Sequence, residues 1–586
     1  MMLGWASSEF PHAIPVTLHE LLLARLDALP PRQKALIQLC AVVGRSFSQE
    51  LLAQLCAQDA ASLRRELSGL LSAALLQRDE SAQGTGYHFR HALIQEAAYQ
   101  SLPRGPRRQH HRRIAQALVE RFPDVVEARP ELLAHHFTEA GEYEPAIRYW
   151  QRAAEHSLLN LGASAVEAVA QLKQALRLLR SLPDAAARWS EELRLLNALG
   201  ALLVGSLGHG APEVEQLYSR ALQLFQQVQE PRQLSLLWMG VPAYFLIRGR
   251  LRGLHEMTER MLTLGQQWQD PATLLQGYSS LADLFLVRGE TARALECFSR
   301  VEQLCGSAEL REERFSQAFA ENLWVELRVG CRVSGLLAHS MRGELEQVRQ
   351  GTEEVLESIQ KLGRPPTTAF ALIFLATGCQ VRREVPCTLK WAEEGRALAP
   401  AAGFRPLRAV AQALSGWALF KSGQRREGLE ALLRGIALLR ELGTRMYLPF
   451  FWGLLGEVYL ELGQVQPGLA AVEDGLRLVR ETEMRLFEAE LYRIQAELLR
   501  RAGREREATA HLLRARGVAR RQEAALLELR ATVSLGRQLR ELGHPEAARR
   551  RLERICRRFD PKCELVDLRE ARDLLDQLPR IIERKI

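Results

Sequence analysis

Several features are scarce or missing in this sequence of 586 residues, and each absence narrows the class of protein. Only seven of the 78 basic residues are lysine and the rest are arginine, a bias typical of GC-rich bacterial genomes. The nine cysteines contain no CxxC pair, and Cys379 with Cys387 and Cys556 with Cys563 are among the closest spacings. An odd, scattered set of cysteines argues against a disulfide framework and against a structural zinc site, so we expect no bound metal.

No stretch approaches the roughly 20 apolar residues that a membrane span needs, and the N-terminus lacks the basic start and apolar run of an export signal. We therefore expect a cytoplasmic protein that does not contact the membrane. A GxxxxGK[ST] loop is also missing, and without it nothing cradles the phosphates of a nucleotide. The sequence predicts no enzyme activity and no cofactor for this chain.

The composition favours helices, with 47% hydrophobic residues but only 6% aromatic ones. Four glycines, Gly423, Gly463, Gly503 and Gly543, recur every 40 residues. Each has an apolar residue four positions before it and a small residue seven before, then a small residue at plus five and an aliphatic one at plus nine. A fixed period of this size indicates stacked helix pairs, with the glycine ending the first helix of each pair in the left-handed conformation.

The same frame extends toward the N-terminus. Gly249, Gly289 and Gly343 fit it, with an insertion predicted near residues 306–340, and Arg383 takes the place of the next glycine. One early unit matches every column, through Ala134, Phe137, Gly141, Ala146, Trp150 and Ala153. These columns resemble the tetratricopeptide repeat, although that family repeats at about 34 residues. We expect an all-α solenoid of roughly ten helix pairs between about 106 and 580.

Residues 17–105 interrupt the repeat. Thr17 is a candidate cap for a helix through Leu26, and further helices are predicted over about 32–43, after Ser48, and over about 61–76. The turn-rich SAQGTG and the strand-like YHF suggest a hairpin. Three helices and a hairpin predict a winged-helix domain.

Three runs, LHELLLARLDALPPRQKALIQLCAVVGRSF, YHFRHALIQEAAYQSLP and LLAHHFTEAGEYEPAIRYWQRAAEHS, cover about residues 17–180. They resemble the segment that follows the ATPase core in bacterial STAND-type signalling ATPases, where a tetratricopeptide-like array comes next. In that family the core is joined to a protein-kinase, nucleotide-cyclase or DNA-binding domain. Because the phosphate loop is missing, the resemblance implies the C-terminal part of such an ATPase, either truncated or served by a partner that carries the core.

Two interpretations of His91 are open. The resemblance implies a histidine that reaches a nucleotide bound by a core supplied in trans. The alternative is that Phe89, Leu93 and Ala97 form a core face and His91 only caps or hydrogen-bonds locally. The pairs His110–His111 and His135–His136 do not predict metal, because adjacent residues on a helix point about 100° apart. Arg25 and Asp27 are interpreted as a surface ion pair.

Charge is concentrated near the C-terminus. Residues 500–558 contain 17 arginines and 7 glutamates, a net charge of +10, whereas the whole chain carries +8. Such a basic segment suits nucleic acid or an acidic protein surface, or is simply a solvated face. The candidate patch comprises Arg549, Arg550, Arg551 and Arg554.

These observations predict a disordered leader over residues 1–16, a winged-helix adaptor over 17–105, the first tetratricopeptide-like units over 106–180 and a solenoid over 181–580. We expect a non-catalytic sensor or scaffold of a bacterial signalling ATPase system, with a protein or small effector on the superhelix. Its partners would be a STAND core, kinase or cyclase. The alternative is a transcription regulator that binds DNA through the winged helix or the arginine-rich repeats.

Overall fold

The computed structural model describes residues 16–56, 59–81, 84–159, 165–182, 185–225, 240–306, 317–399 and 405–579. The chain forms two compact units, residues 1–195 and 196–586. The first unit and the helix at its end contain, in chain order, α1 Val16–Asp27, α2 Pro31–Val43, β1 Ser46–Ser48, α3 Gln49–Leu55, α4 Ala60–Ser72, β2 Leu76–Ser81, β3 Gly84–Phe89, α5 Ala92–Gln100, α6 Arg104–Arg121, α7 Pro123–Ala128, α8 Pro130–Ala140, α9 Tyr143–Leu159, α10 Ala165–Leu179 and α11 Ala185–Leu207. The predicted leader lies outside the described residues, apart from residue 16.

The first unit begins with helices around a small antiparallel sheet of strand order β1-β3-β2. The predicted hairpin is present as β2 and β3, which pair from Leu76 opposite Phe89 to Ser81 opposite Gly84. Strand β1 was not predicted, because its three residues are too short to show an alternating pattern. Ser48 ends that strand and caps α3, accepting a hydrogen bond from the backbone N–H of Leu51 at 3.1 Å.

Two local expectations at the start of this unit are wrong. Helix α1 begins at Val16, so Thr17 lies inside the helix and is not its cap. Arg25 donates to the carbonyl oxygen of Ala73 at 2.8 Å, while Asp27 pairs with Lys34 at 2.6 Å. Each side chain therefore joins α1 to a different element. The neighbouring residues in the sequence do not predict these partners.

Helices α8 and α9 form the early helix pair that fitted every column. Ala134, Phe137, Ala146 and Ala153 are buried between them. Gly141 joins the two helices with φ of 79°, in the left-handed region that glycine adopts at little cost. Trp150 donates its ring N–H to the hydroxyl of Thr138 at 3.0 Å, which links α9 back to α8.

The second unit continues as a stack of antiparallel helix pairs. Its helices are α12 Pro212–Phe225, α13 Gly240–Arg248, α14 Leu251–Trp268, α15 Pro271–Arg288, α16 Thr291–Cys305, α17 Gln317–Arg342, α18 Leu345–Leu362, α19 Pro365–Val381, α20 Val385–Leu398, α21 Arg405–Lys421, α22 Arg425–Glu441, α23 Leu448–Glu461, α24 Val465–Thr482, α25 Glu488–Arg501, α26 Glu505–Arg521, α27 Ala525–Glu541, α28 Pro545–Cys556 and α29 Val566–Asp576. The fold is thus the all-α solenoid that the period predicted. No helix of the described ranges is long and apolar enough to cross a membrane.

The turn inside each pair has the conformation that the glycine column predicted. Gly423, Gly463, Gly503 and Gly543 all have positive φ, between 72° and 96°. Arg383 has φ of 60° at the position where a glycine was expected, so the backbone keeps its conformation without the favoured residue. The predicted insertion takes the form of α17, which has 26 residues; residues 307–316 lie outside the described part.

The first helix of each pair faces the inside of the stack. In α27, 13 of 17 residues are buried, whereas in α26, an outer helix, 5 of 17 are. The small residues allow the two helices of a pair to cross closely, as the columns predicted. A Cβ atom on Gly428 would lie 2.6 Å from the carbonyl oxygen of Gly416 on the facing helix. Close packing of this kind fixes the geometry of each pair.

The superhelix is wound so tightly that early turns contact turns about four pairs later. Gly210 donates its backbone N–H to Leu442 at 2.9 Å, and Arg445 donates to Ile247 at 2.8 Å. One pair further along, Leu486 donates to Val287 at 3.1 Å. The second unit is therefore closed on itself by backbone hydrogen bonds between distant repeats, which the sequence period did not predict.

Candidate functional site

The inner helices of the second unit carry charged side chains on the face that points into the superhelix. Each member lies on an inner helix, in a turn or on the last helix, and the set is Arg383, Lys421, Glu457, Glu490, Arg493, Arg530 and Asp567. Charged residues are rarely buried unless they are paired. We call these seven residues the interior ion network.

The members pair both within a helix and between successive inner helices. Lys421 lies 2.9 Å from Glu457, and Arg493 lies 2.7 Å from Glu490. Arg530 is the central cation, because it lies 3.9 Å from Glu490 and 2.8 Å from Asp567. It also donates to the carbonyl oxygen of Val381. The pairs thus connect α21 with α23, and α25 with α27 and α29, along the inside of the superhelix.

The turn at Arg383 closes the network. Its guanidinium lies 3.0 Å from Asp567 and 3.3 Å from Glu570, both on α29. Arg383 therefore ties the turn between α19 and α20 to the last helix of the unit, more than 180 residues later in the chain.

The electrostatic environment keeps the members charged. Burial alone would raise the pKa of Glu490, but Arg493 and Arg530 outweigh it and hold that pKa at about 2. Burial acts in the same way on Glu457, and Lys421 and Arg383 lower its pKa to about 2. These two glutamates are ionised because their partners compensate the lost hydration. The interior is consequently a set of mutually dependent charges.

A small cavity lies within the network. It is lined by Arg383, Glu457, Glu490 and Arg530, and by apolar side chains that include Phe450, Leu454, Leu491, Ile494 and Leu527. Its volume of about 20 Å³ holds about one water molecule. The site combines charge with apolar walls, and in this closed form it is too small for an effector.

His91, the candidate nucleotide sensor, is exposed at the position before the first residue of α5. Its side chain makes no capping hydrogen bond to the helix. The core face predicted around it is wrong in one residue, because Leu93 is 37% exposed and Ile94 is buried instead. Helix α5 packs through Ile94, Ala97 and Ala98. Its buried face therefore differs from the predicted one, and His91 lies on the exposed side. Its role as a nucleotide sensor stays a prediction.

The histidine pairs, by contrast, meet in a way that the sequence did not suggest. His111 on α6 and His136 on α8 are both 1% exposed, and their Nδ1 atoms lie 2.9 Å apart. Tyr99 Oη lies 3.1 Å from His111 Nε2 and 3.4 Å from a carboxylate oxygen of Glu139. The two histidines of each adjacent pair point in different directions, but His111 of one pair contacts His136 of the other between α6 and α8. The four-residue cluster Tyr99, His111, His136 and Glu139 is the histidine cluster of the first unit.

Acidification should loosen this cluster. Burial, and then His135, lower the pKa of His111 to about 3, and burial also lowers that of His136. Both rings are thus neutral when folded, and their stabilisation is complete above pH 6.5 and is lost as the pH falls from 6.5 toward 3. Between pH 7 and pH 5 we expect His111 to cost about 2 kcal/mol of unfolding free energy, and His136 to act in the same direction. Hydrogen exchange of peptides from residues 104–140, corrected for its intrinsic pH dependence, measures the loss.

The second unit provides a control of opposite sign. Burial raises the pKa of Asp283 to about 7, against a hydrogen bond from Ser334. Its stabilisation is complete below pH 3.8 and is lost as the pH rises through 7, so peptides from residues 271–288 should gain protection on acidification. His111→Gln should remove part of the pH response in the first unit only. Equal responses in both units would contradict the assignment.

The candidate basic patch divides into two parts. Arg549 donates to the carbonyl oxygens of Leu575, Leu578 and Pro579, so its guanidinium holds the end of α29 and is not free for a partner. Burial, and then Arg551, lower the pKa of Arg516 on the neighbouring outer helix.

Two further members of the candidate basic patch, Arg550 and Arg554, lie on the same helix as Arg551. Arg554 also lowers the pKa of Arg516, and Arg550 lies 3.9 Å from Glu546. The outer surface at Arg516, Arg551 and Arg554 is thus a concentration of like charge, and binding of nucleic acid there stays a prediction.

A second 40-residue column, in the turns between pairs, was not predicted because it mixes glycine with other residues. Gly363, Gly443, Glu483 and Glu523 all have positive φ there. A Cβ atom on Gly210 would lie 2.8 Å from the Cα atom of Gly443, so glycines are required there by a close approach of two backbones. Matching positions at 40-residue spacing would have been the signal, but two glutamates do not suggest a left-handed turn.

Comparisons with known proteins give distant likenesses. No family model matches the chain. An uncharacterized protein of Rhizobium meliloti (strain 1021) is 30% identical over 140 residues, which is 24% of this chain and only 13% of that protein.

Two solved structures have similar helical repeats. A Rap protein complexed with competence and sporulation factor is 12% identical, with a TM-score of 0.47, over 65% of this chain and 98% of that one. A STAND protein with a tetratricopeptide repeat sensor from Pyrococcus horikoshii is 10% identical, with a TM-score of 0.25, over 97% of this chain and 62% of that one. Neither TM-score reaches 0.5, so neither structure assigns the chain to a family.

Proposed function

We propose that the second unit is a non-catalytic sensor that binds an extended protein segment inside its superhelix. The observation that carries this proposal is the interior ion network around a cavity lined by both charged and apolar side chains. Charges inside a solenoid are costly compared with an apolar core, and replacing them with apolar residues is often neutral or stabilising. A bound segment with charged and apolar side chains would replace these ion pairs with pairs to its own charged groups. The buried charges would then serve to recognise the segment.

Binding in the interior requires the superhelix to open. The cavity of about 20 Å³ has no room for a peptide, and the turns at Ile247 and Arg445 are joined by a backbone hydrogen bond. The closed form is therefore the resting state of the sensor. A ligand that binds only the open form shifts the population toward it, in proportion to its difference in affinity for the two forms.

We propose in addition that residues 17–105 are a winged-helix adaptor for a nucleotide-binding core in trans, within a STAND-type signalling system. The order of helices and strands around the sheet β1-β3-β2 supports this assignment. So does the exposed His91, which stands free of a capping bond at the start of α5. In this scheme the solenoid senses the effector and the adaptor passes its state to the core.

The experiment selects displayed peptides of about 12 residues on the full chain and measures their affinity by fluorescence polarisation. Arg383→Gln, which alters a charge that lines the cavity, should weaken a selected peptide at least about tenfold, and the peptide should increase the radius of gyration in solution scattering. Arg426→Gln, on an outer helix, is the matched control. Equal binding to both variants, or no expansion, would contradict an interior site.

A second arm tests the adaptor. The chain is mixed with nucleotide-binding domains encoded beside its gene, with and without ATP, and complex formation is compared between the wild type and His91→Ala. A complex that depends on ATP and is weakened by the variant is expected. Absence of any complex, together with tight binding of duplex DNA, would favour the transcription regulator instead.

A further inference from the structure

Two thiols meet at the turn that closes the superhelix. Cys379 lies near the end of α19 and is fully buried, whereas Cys387 lies in the first turn of α20 and is half-buried. Their Sγ atoms are 2.6 Å apart, with the thiol of Cys379 donating to the sulfur of Cys387. The antiparallel hairpin of α19 and α20 brings them together, although eight positions separate them in the chain.

We propose that Cys379 and Cys387 are a redox-active dithiol that forms an intramolecular disulfide and thereby locks the closed superhelix. Formation of the disulfide does not depend on the effector site of the second unit or on the adaptor role of the first, whereas its effect on opening rests on the closed resting state proposed for the second unit. It is a modification site whose oxidant is a low-molecular-weight disulfide.

The surroundings suit thiol–disulfide exchange. Arg382 is 7% exposed, and one of its guanidinium nitrogens lies 3.4 Å from Cys379 Sγ. The hydrogen bond from Cys379 lowers the pKa of Cys387, and burial opposes that effect. The same hydrogen bond, and then burial, raise the pKa of Cys379. The more accessible sulfur is therefore also the one that more readily becomes a thiolate, as an attacking cysteine requires.

The exchange has two steps. The thiolate of Cys387 attacks one sulfur of the small disulfide RSSR, which forms a Cys387–SR mixed disulfide and releases RS⁻. The thiol of Cys379 then loses its proton to a released thiolate and attacks Cys387 Sγ, which breaks the bond to R and releases the second RS⁻. The protein gives up two electrons and two protons, and RSSR is reduced to two RSH.

The disulfide would affect the whole superhelix because Cys379 and Cys387 flank the turn that contacts the last helix. Between the two cysteines lies Arg383, whose guanidinium reaches Asp567 at 3.0 Å on the last helix. The carbonyl oxygen of Val381 accepts a hydrogen bond from Arg530. A covalent bond across this turn restricts the motions that separate it from α29, so the oxidised chain should open less often.

Metal is the competing interpretation. One ligand atom each from Cys379, Glu384 and Cys387 lie within 4.8 Å of one another, and no other group of this kind occurs in the described ranges. However, the carboxylate of Glu384 already accepts two hydrogen bonds from Arg382 at 2.8 Å. A guanidinium held against the ligands opposes a divalent cation, which favours the dithiol.

The test titrates the full reduced chain with oxidised glutathione, blocks the remaining thiols with N-ethylmaleimide after denaturation, and determines the intact mass. Of the nine cysteines, seven should be blocked, and peptide mapping should show a Cys379–Cys387 bond. Cys379→Ala should instead accumulate a glutathione adduct on Cys387. Exchange protection of residues 379–387 and 566–576 should rise at least about tenfold in the oxidised wild type.

The pair Cys556 and Cys563 provides the control, because Cys556→Ser with Cys563→Ser should leave the bond and the protection unchanged. The wild-type mass measurement stands even if an alanine variant fails to fold. Full blocking of all nine thiols after glutathione treatment would overturn the proposal. So would zinc that copurifies in equal amount and is lost in Cys387→Ala, since the pair would then be a metal site.

Discussion

Replacing Gly428 with alanine is expected to lower the unfolding free energy of the second unit by about 3 kcal/mol. Gly428 lies where helices α21 and α22 cross, and its new Cβ atom would sit 2.6 Å from the carbonyl oxygen of Gly416. This oxygen and the other close atoms, the backbone N and Cα of Phe420, all belong to the backbone. No side chain can therefore rotate away, and the helices themselves must separate. Chemical denaturation followed by circular dichroism measures the change.

Gly517 provides the matched control for that substitution. It lies on the outer helix α26, where the nearest atom to a new Cβ is the end of the flexible Arg521 side chain, 3.7 Å away. Gly517→Ala should therefore raise stability by up to about 1 kcal/mol, the gain in helix propensity. If both variants changed stability in the same direction, the close crossing would not be the cause.

Replacing Arg530 with methionine is expected to cost about 3–5 kcal/mol, because it removes the cation that two buried acids share. Arg530 is 7% exposed and Asp567 is 2% exposed, and the two lie 2.8 Å apart. Arg383 still faces Asp567, whereas Glu490 keeps only Arg493. The turn at Val381 also loses its hydrogen bond from Arg530. Urea denaturation of the full chain measures the loss, and solution scattering reports any opening.

The double variant Arg530→Met with Asp567→Leu should recover much of that loss, since it removes both members of the buried pair. The exposed pair Arg426 and Glu430 on α22 is the control, and Arg426→Met should change stability by less than about 0.5 kcal/mol. A loss below about 1 kcal/mol for Arg530→Met would mean that the interior ion network does not hold the superhelix closed.

The interior illustrates why sequence patterns underestimate such a site. Glu457, Glu490 and Arg530 lie on helices whose buried residues are mostly apolar. From the helical pattern alone, these charged residues would be assigned to a solvent-exposed polar face. Arg530, for example, is buried against the turn at Val381, about four pairs earlier in the chain. A nearest-neighbour description of the solenoid contains no such contact, because it treats each repeat as touching only the next.

The histidine cluster and the dithiol are two further cases in which the sequence did not predict which side chains meet. The sequence analysis considered His110–His111 and His135–His136 as pairs, and the relation that matters joins one histidine of each. Cys379 and Cys387 were noted as close in the chain, but their contact depends on the helix turn that lies between them. In each case a tight helical hairpin or a packed helix pair selects which side chains meet.

What the sequence by itself determined is the local and periodic part of this protein. The 40-residue period predicted the helix pairs, the left-handed turns at Gly423, Gly463, Gly503 and Gly543, and the small residues where helices cross, because those features depend on neighbouring residues and backbone sterics. Only the tertiary structure decided how far the superhelix winds. That winding is the sum of small rotations between successive pairs, so it fixes which distant turns touch, which charges are buried at Arg530 and Asp567, and how little space remains inside.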